Sequence, residues 1–167
     1  MSQAGSLNGS GGGGGSSGAM TLIKTQTATN QTTLNFTMGI TPTYNTYFLL
    51  SNAITDPTST GASLIASLSV NGGATYITTG YFQGNSGLSL LFLDGGAAQG
   101  SLAGYLFNMT SGVGLVSTAI LSVRSGVSAG GGGDNYTVAG IVVNAIQIAT
   151  EDGTPFSGTF SLYGITQ

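Results

Sequence analysis

Apolar and polar residues alternate in short stretches of this chain from Thr21 onward. A period of two is typical of β-strands with one buried face, because successive side chains point to opposite sides of a sheet. In 62–70 the apolar set is Leu64, Ala66, Leu68 and Val70, opposite Ser63, Ser67 and Ser69, with Ile65 as the exception. The same period groups Leu34 with Phe36 and Met38, and Phe160 with Leu162. We therefore predict one core that contains Leu34, Phe36, Leu64, Leu68, Phe160 and Leu162.

Turn signals rich in Gly, Asn and Asp separate the candidate strands, at 71–73, 94–96, 111–114, 128–135 and 151–155. Further strands are predicted near 21–27, 43–50, 74–82, 87–93, 101–109, 114–124 and 136–149. Asn71-Gly72 predicts a type I′ hairpin turn that leads into the strand 74–82. We find no convincing helix. Eight to ten short strands predict an all-β, antiparallel, jelly-roll-like sandwich over residues 21–167.

Two segments are apolar on both sides of the predicted strand. In 136–149, Ile141 and Val143 oppose the apolar set that includes Ile146; in 87–93, Leu91 and Leu93 oppose Leu88, Leu90 and Phe92. A strand that is apolar on both sides is covered on both sides. The cover is either a loop of the same chain or another subunit. For the second case the candidate oligomer surface is Leu91, Leu93, Ile141 and Val143.

Residues 1–20, MSQAGSLNGSGGGGGSSGAM, have almost no side-chain surface to bury, so they predict a flexible arm outside the core. We expect this arm to dock onto a neighbouring subunit, and the candidate docking residues are Leu7, Gly11, Gly12, Gly13, Gly14, Gly15 and Met20. The alternative is a linker left by expression or cleavage. The stretch lacks the basic start and apolar run of a secretory signal, and the most apolar window, 136–150, is too short to span a membrane as a helix.

Charge is scarce: Asp, Glu, Lys and Arg make up 4% of the 167 residues, against about 25% in an ordinary soluble domain. The two basic residues, Lys24 and Arg124, are far apart in sequence, so no basic patch for nucleic acid or anionic lipid is expected. One interpretation is that much of the surface faces copies of the chain or a partner, where charges would have to be desolvated. The other is an extracellular-type β-protein that tolerates a neutral surface.

The sequence offers few residues that could carry out catalysis. Cysteine and histidine are absent, which excludes disulfides, thiolate chemistry and the Ser-His-Asp arrangement. The carboxylates are Asp56, Asp94, Asp134, Glu151 and Asp152. Glu151 and Asp152 are neighbours in a turn, where their side chains should diverge, and Asp94 and Asp134 are each too isolated for calcium. We expect a protein that is not an enzyme and holds no cofactor or metal.

Three segments resemble a domain of bacteriophage virion proteins: YFLLSN (47–52), ASLIASLSVNGGATYITTGY (62–81) and the terminal SGTFSLYGI (157–165). NAIQI (144–148) also fits, and the resemblance covers most of 44–165. It implies a jelly-roll-type sandwich that serves as a capsid decoration, head-fibre, tail-fibre or tip subunit in the virion. It also implies a homo-oligomer, for which we favour a trimer, in contact with other capsid or tail proteins.

The alternative function is a module that binds a glycan or protein of the host surface on the same sandwich. A glycan site would need aromatic rings with convergent polar groups, and the candidates are Tyr44, Tyr47, Tyr81 and Tyr105.

Overall fold

Every regular element among the described residues is a β-strand. The computed structural model describes residues 19–55, 62–81, 86–93, 99–112, 116–124, 127–137 and 140–166. Its ten strands are β1 (Met20–Gln31), β2 (Thr33–Phe36), β3 (Thr46–Thr55), β4 (Ala62–Ser69), β5 (Leu88–Leu93), β6 (Gln99–Phe107), β7 (Ser117–Arg124), β8 (Val127–Gly132), β9 (Ala145–Thr150) and β10 (Phe156–Ile165). This part of the chain contains no helix long and apolar enough to cross a membrane.

The strands form two antiparallel sheets. The six-stranded sheet has the order β1-β10-β3-β6-β7-β8, and the four-stranded sheet has the order β2-β9-β4-β5. Four of the pairings are nested: β1 with β10, β2 with β9, β3 with β6, and β4 with β5. Such a ribbon of paired strands, folded so that successive pairs alternate between two sheets, is a jelly roll. The hairpin β7–β8 is an addition that widens the six-stranded sheet beyond β6. The predicted all-β sandwich is confirmed.

The core lies between the two sheets and contains the six residues expected there: Leu34, Phe36, Leu64, Leu68, Phe160 and Leu162 are all buried in one cluster. Phe156 and Phe160 meet edge to face with ring centroids 5.8 Å apart. The period of two therefore gave the correct inner face in β2, β4 and β10.

The turn after β4 differs from the prediction. The residues with positive φ are Gly72 (73°) and Gly73 (87°), not Asn71, so the centre of the turn lies one residue later than expected. The Ala74 N–H donates to the Asn71 carbonyl at 3.4 Å. Residues 74–80 then form a loop rather than the predicted strand, because side chains satisfy the backbone in place of a ladder: the Thr75 N–H donates to Asn71 Oδ1 at 3.0 Å.

The predicted strand 136–149 is confirmed only in part among the described residues. Ala145–Thr150 forms a strand, Tyr136 makes an isolated bridge to Tyr81, and residues 140–144 are irregular, with Val142 exposed. Asn144 explains part of this, because its side chain joins the turn after β4: Oδ1 accepts from the Gly72 N–H at 2.7 Å and Nδ2 donates to the Val70 carbonyl at 3.0 Å. Met38 and Val70 are also exposed, because β2 ends at Phe36 and β4 ends at Ser69.

The second face of β4 is covered as well. Ser67 and Ser69, expected on the polar side, are buried. Ser67 Oγ donates to the Ser86 carbonyl at 3.1 Å, and Ser69 Oγ donates to Asn71 Oδ1 at 2.8 Å. Both hydroxyls therefore bind neighbouring loops and are not left to solvent.

Candidate functional site

A row of aromatic side chains crosses the outer side of the six-stranded sheet. Tyr47 and Leu49 of β3 and Leu162 of β10 are buried, so the alternating residues Phe48 and Tyr163 point away from the core. The strand register places Leu22, Tyr163, Phe48 and Tyr105 side by side on β1, β10, β3 and β6. We call this outer side, with Phe107, the aromatic face.

The rings of the aromatic face pack against one another. The ring centroid of Phe48 lies 5.1 Å from that of Tyr105 and 6.2 Å from that of Tyr163. Tyr105 and Phe107, two residues apart on β6, are stacked with centroids 5.8 Å apart and planes 16° apart. Cross-strand aromatic pairs of this kind contribute to sheet stability. The rings thus form one continuous surface held from three strands.

Part of this surface is exposed to solvent among the described residues. Tyr105 is 42% exposed and Leu22 is 54% exposed, while Phe48, Phe107 and Tyr163 are half-buried by their neighbours. Contiguous exposed apolar patches on a sheet mark a contact site far more often than do single exposed residues.

Paired hydroxyls continue the aromatic face on its β1–β10 side. Thr25 Oγ1 and Ser161 Oγ lie 2.8 Å apart, and Thr27 Oγ1 and Thr159 Oγ1 lie 3.2 Å apart. These groups are exposed but bonded to one another across the strands, so they form a neutral polar border that needs no counter-ion.

The three strands that carry the rings are also free of charged residues. Strands β3, β6 and β10 contain no Asp, Glu, Lys or Arg. Lys24 of β1 is half-buried and stands in register with the core residue Leu162, not with the aromatic row. A contact made by this surface would therefore depend on apolar burial and hydroxyl groups rather than on ion pairs.

Of the four tyrosines considered for a glycan site, Tyr105 belongs to the aromatic face. Tyr47 and Tyr81 are buried and serve the fold: the Tyr47 hydroxyl donates to the Thr41 carbonyl at 2.9 Å. Burial raises the pKa of Tyr47, and it raises the pKa of Tyr81 to about 12. Tyr44 is half-buried beside Tyr47, with ring centroids 6.0 Å apart. These three side chains do not converge with Tyr105.

Two of the four residues predicted for an oligomer surface are buried within the chain. Leu91 and Val143 are buried in the chain's own core, and Ile141 is half-buried against it. Leu93 pairs with Ala62 at the end of β5. Leu91 and Val143 are thus covered within the chain and are not available to another subunit while the domain is folded, and the side chain of Leu93 lies outside the described part of the structure.

The docking arm lies largely outside the described residues, including Leu7 and Gly11 to Gly15. Met20 starts β1, pairs with Ile165 and is exposed. It therefore belongs to the sheet, two residues along the strand from Leu22 of the aromatic face.

The described carboxylates serve turns and loops. Asp134 is buried: Oδ2 accepts from the Ser89 N–H at 3.0 Å and Oδ1 accepts from the Asn135 N–H at 2.7 Å, which ties the loop after β8 to β5. Glu151 and Asp152 are exposed in a turn. Slight burial would raise the pKa of Asp152, but hydrogen bonds from the Thr154 hydroxyl and N–H outweigh it, and the pKa is lowered. The described residues hold no cluster of three or more His, Cys, Asp or Glu suited to a metal, and Asp56 and Asp94 lie outside them.

Comparison with known proteins gives no relative. A scan against protein-family models, a search of curated proteins and a search of solved structures each found no match for this chain. A function must therefore be argued from the chain's own residues and geometry.

Proposed function

We propose that this chain is a structural subunit of a bacteriophage particle, as a capsid decoration, head-fibre, tail-fibre or tip protein, which acts through self-association and docking. The observation that carries the proposal is a jelly-roll sandwich whose larger sheet presents aromatic rings on three strands that contain no charged residue. Jelly rolls form viral capsid and lectin domains, among others, so the fold alone does not select a function.

Two features favour assembly over the other uses of this fold. A face without charge is suited to a dry contact, because no ionised group has to be desolvated there. The segments that resemble phage virion domains include β4, β10 and most of β3, which belong to the nested pairs of the jelly roll.

A host-glycan module is the second candidate, and the exposed ring of Tyr105 favours it. A sugar presents apolar C–H faces and hydroxyls, which match aromatic rings and the neighbouring Thr25–Ser161 pair in kind. This candidate predicts retention of the chain on immobilised bacterial polysaccharide and loss of retention in Tyr105→Ser.

The particle itself provides the test of the proposed function. Antibodies raised against the recombinant chain would be applied to phage particles purified from the source culture and seen by immunogold electron microscopy. We expect label at one defined position on intact particles, with pre-immune serum as the control. Particles of constant protein composition that carry neither the label nor the chain on a blot would refute a virion role.

A further inference from the structure

We infer that the aromatic face is the surface through which this chain contacts a second copy of itself. The inference rests on the proposed function for the expectation that copies associate, and it moves the contact from the internally buried Leu91 and Val143 to an exposed surface. Its first support is the solvent-open row from Leu22 to Tyr105 across four strands.

The lack of charged residues on the strands that carry the rings favours a second copy of the chain as the partner at this face. Contact of one face with itself pairs two copies, unlike the trimer favoured from the sequence. In such a pair, a charged residue at the centre meets its own kind and is repelled. The three strands that carry the rings contain no charged residue, so the face meets this requirement without any matching partner. The whole chain has a net charge of -3, so long-range repulsion between copies is small.

The described part of the face suits a contact at the small end of protein interfaces. Its four strands β1, β10, β3 and β6, spaced about 4.8 Å apart and roughly 30 Å long, give an area on the order of 600 Å². Each partner contributes about 800 Å² in a standard complex and under about 600 Å² in a weak one. The rings lie near one end of the described strands, and the hydroxyl pairs lie farther along β1 and β10, so the face joins an apolar patch to a neutral polar one.

The other exposed apolar residues whose side chains the structure describes offer no comparable surface. Met38, Val70 and Val142 lie at a strand end or in a loop, and none of them contributes to an aromatic row. The outer edge of β1 is a second possible contact, since β1 pairs only with β10 among the described strands. Its ladder to β10 is interrupted between Leu22 and Lys24 and again between Ala28 and Gln31, and such bulges disfavour pairing with another edge.

Sedimentation velocity over a concentration series tests the inference on the full chain. The variants are Tyr105→Ser, Leu22→Ser and the matched control Val142→Ser, whose side chain is 45% exposed in the loop that precedes β9 of the other sheet. We expect Tyr105→Ser to weaken association about 10- to 100-fold, Leu22→Ser to weaken it in the same direction, and the control to stay within about twofold of the parent, because aromatic residues buried in a contact carry much of its binding energy. Circular dichroism melts check that each variant is folded.

Cysteine labelling gives an independent readout, because the natural chain has no cysteine. Ala103 lies on the aromatic face, two residues before Tyr105 along β6. It is half-buried and pairs with Leu50 of β3. Ala103→Cys is a small change, and its reaction with a maleimide should slow as the chain is concentrated. Val142→Cys should react at the same rate at every concentration.

The outcomes separate this inference from the virion proposal. A chain that stays monomeric at all concentrations overturns the inference, and so does association that Tyr105→Ser leaves unchanged. A monomer that binds polysaccharide through Tyr105 overturns it in favour of the glycan module. If the chain associates through this face but is absent from phage particles, the virion role is refuted and the inferred contact between copies is supported.

Discussion

Tyr81→Phe probes how the jelly roll closes beside β4. Tyr81 is 3% exposed, and β5 pairs with β4 only as far as Ala66. Beyond that point the Leu68 N–H donates to the Tyr81 hydroxyl at 2.9 Å, and this hydroxyl donates to the Ile77 carbonyl at 3.1 Å. Phenylalanine keeps the ring and leaves the Leu68 N–H without its partner. At neutral pH the substitution should lower the free energy of unfolding by about 1–3 kcal/mol, the cost of an unsatisfied buried donor.

The pH dependence of this difference sharpens the prediction. Burial raises the pKa of Tyr81 to about 12, from 10.0 for an ordinary tyrosine, although the bond from the Leu68 N–H opposes the shift. The unfolded chain therefore releases this proton first as the pH rises. Stability from Tyr81 is fully present below about pH 10 and is lost between about pH 10 and pH 12, in total on the order of 3 kcal/mol. The gap between parent and Tyr81→Phe should close across this window.

Urea unfolding followed by circular dichroism, from about pH 8 to about pH 12, measures both quantities. Burial also raises the pKa of Tyr47 and Tyr76, so both proteins should lose stability at high pH, and only their difference reports Tyr81. Equal stabilities at about pH 8 would mean that the two hydrogen bonds contribute nothing. A gap that stays constant to about pH 12 would contradict a buried, protonated hydroxyl.

Four further predictions follow from the core, a backbone position, the lack of charge and the arm. Leu68→Ala should destabilise the domain by about 2–5 kcal/mol in urea unfolding, whereas Val70→Ala, at an exposed position, should cost under about 0.5 kcal/mol. Gly39→Ala should destabilise the domain by more than about 1 kcal/mol, since φ is 83° and a Cβ there would clash with the Ile23 side chain. An unchanged melting temperature would show that the loop around Gly39 is not fixed in this conformation. Oligomers should survive a rise from about 0.05 M to about 0.5 M salt in sedimentation, and dissociation would point to ion pairs. Deletion of 1–18 should leave the melting temperature of the domain unchanged but reduce its incorporation into particles, and unfolding of the truncated chain would place the arm in the core.

The sequence predicted the inner face of several strands because alternation depends on neighbours in the chain. Leu64 and Leu68 repeat every second residue in β4, and a slip of one position would expose them, so the register follows from the pattern. The burial of Ser67 and Ser69 was not predicted, because these side chains are buried by contacts with residues 71–73 and 86. Alternation within one strand does not show contacts with such loops.

The aromatic face could not be predicted from the sequence for a related reason. Phe48, Tyr105 and Tyr163 become neighbours only through the pairings β3–β6 and β3–β10. In the sequence, aromatic residues occupy the outward positions of these strands. This pattern alone does not distinguish a face that the chain itself covers from a face that is exposed. The same ambiguity led to the assignment of Leu91 and Val143 to an oligomer surface, whereas the chain's own core covers them.

Cryo-electron microscopy of the purified phage particle tests the central claim most directly, because it shows both the place of the chain and the surface it uses. The account predicts density for a jelly-roll sandwich in which the outer side of the six-stranded sheet, with Tyr105 and Phe48, packs against the same side of another copy. A particle without such density would contradict the structural role. A sandwich whose aromatic face is turned to solvent would contradict the proposed contact.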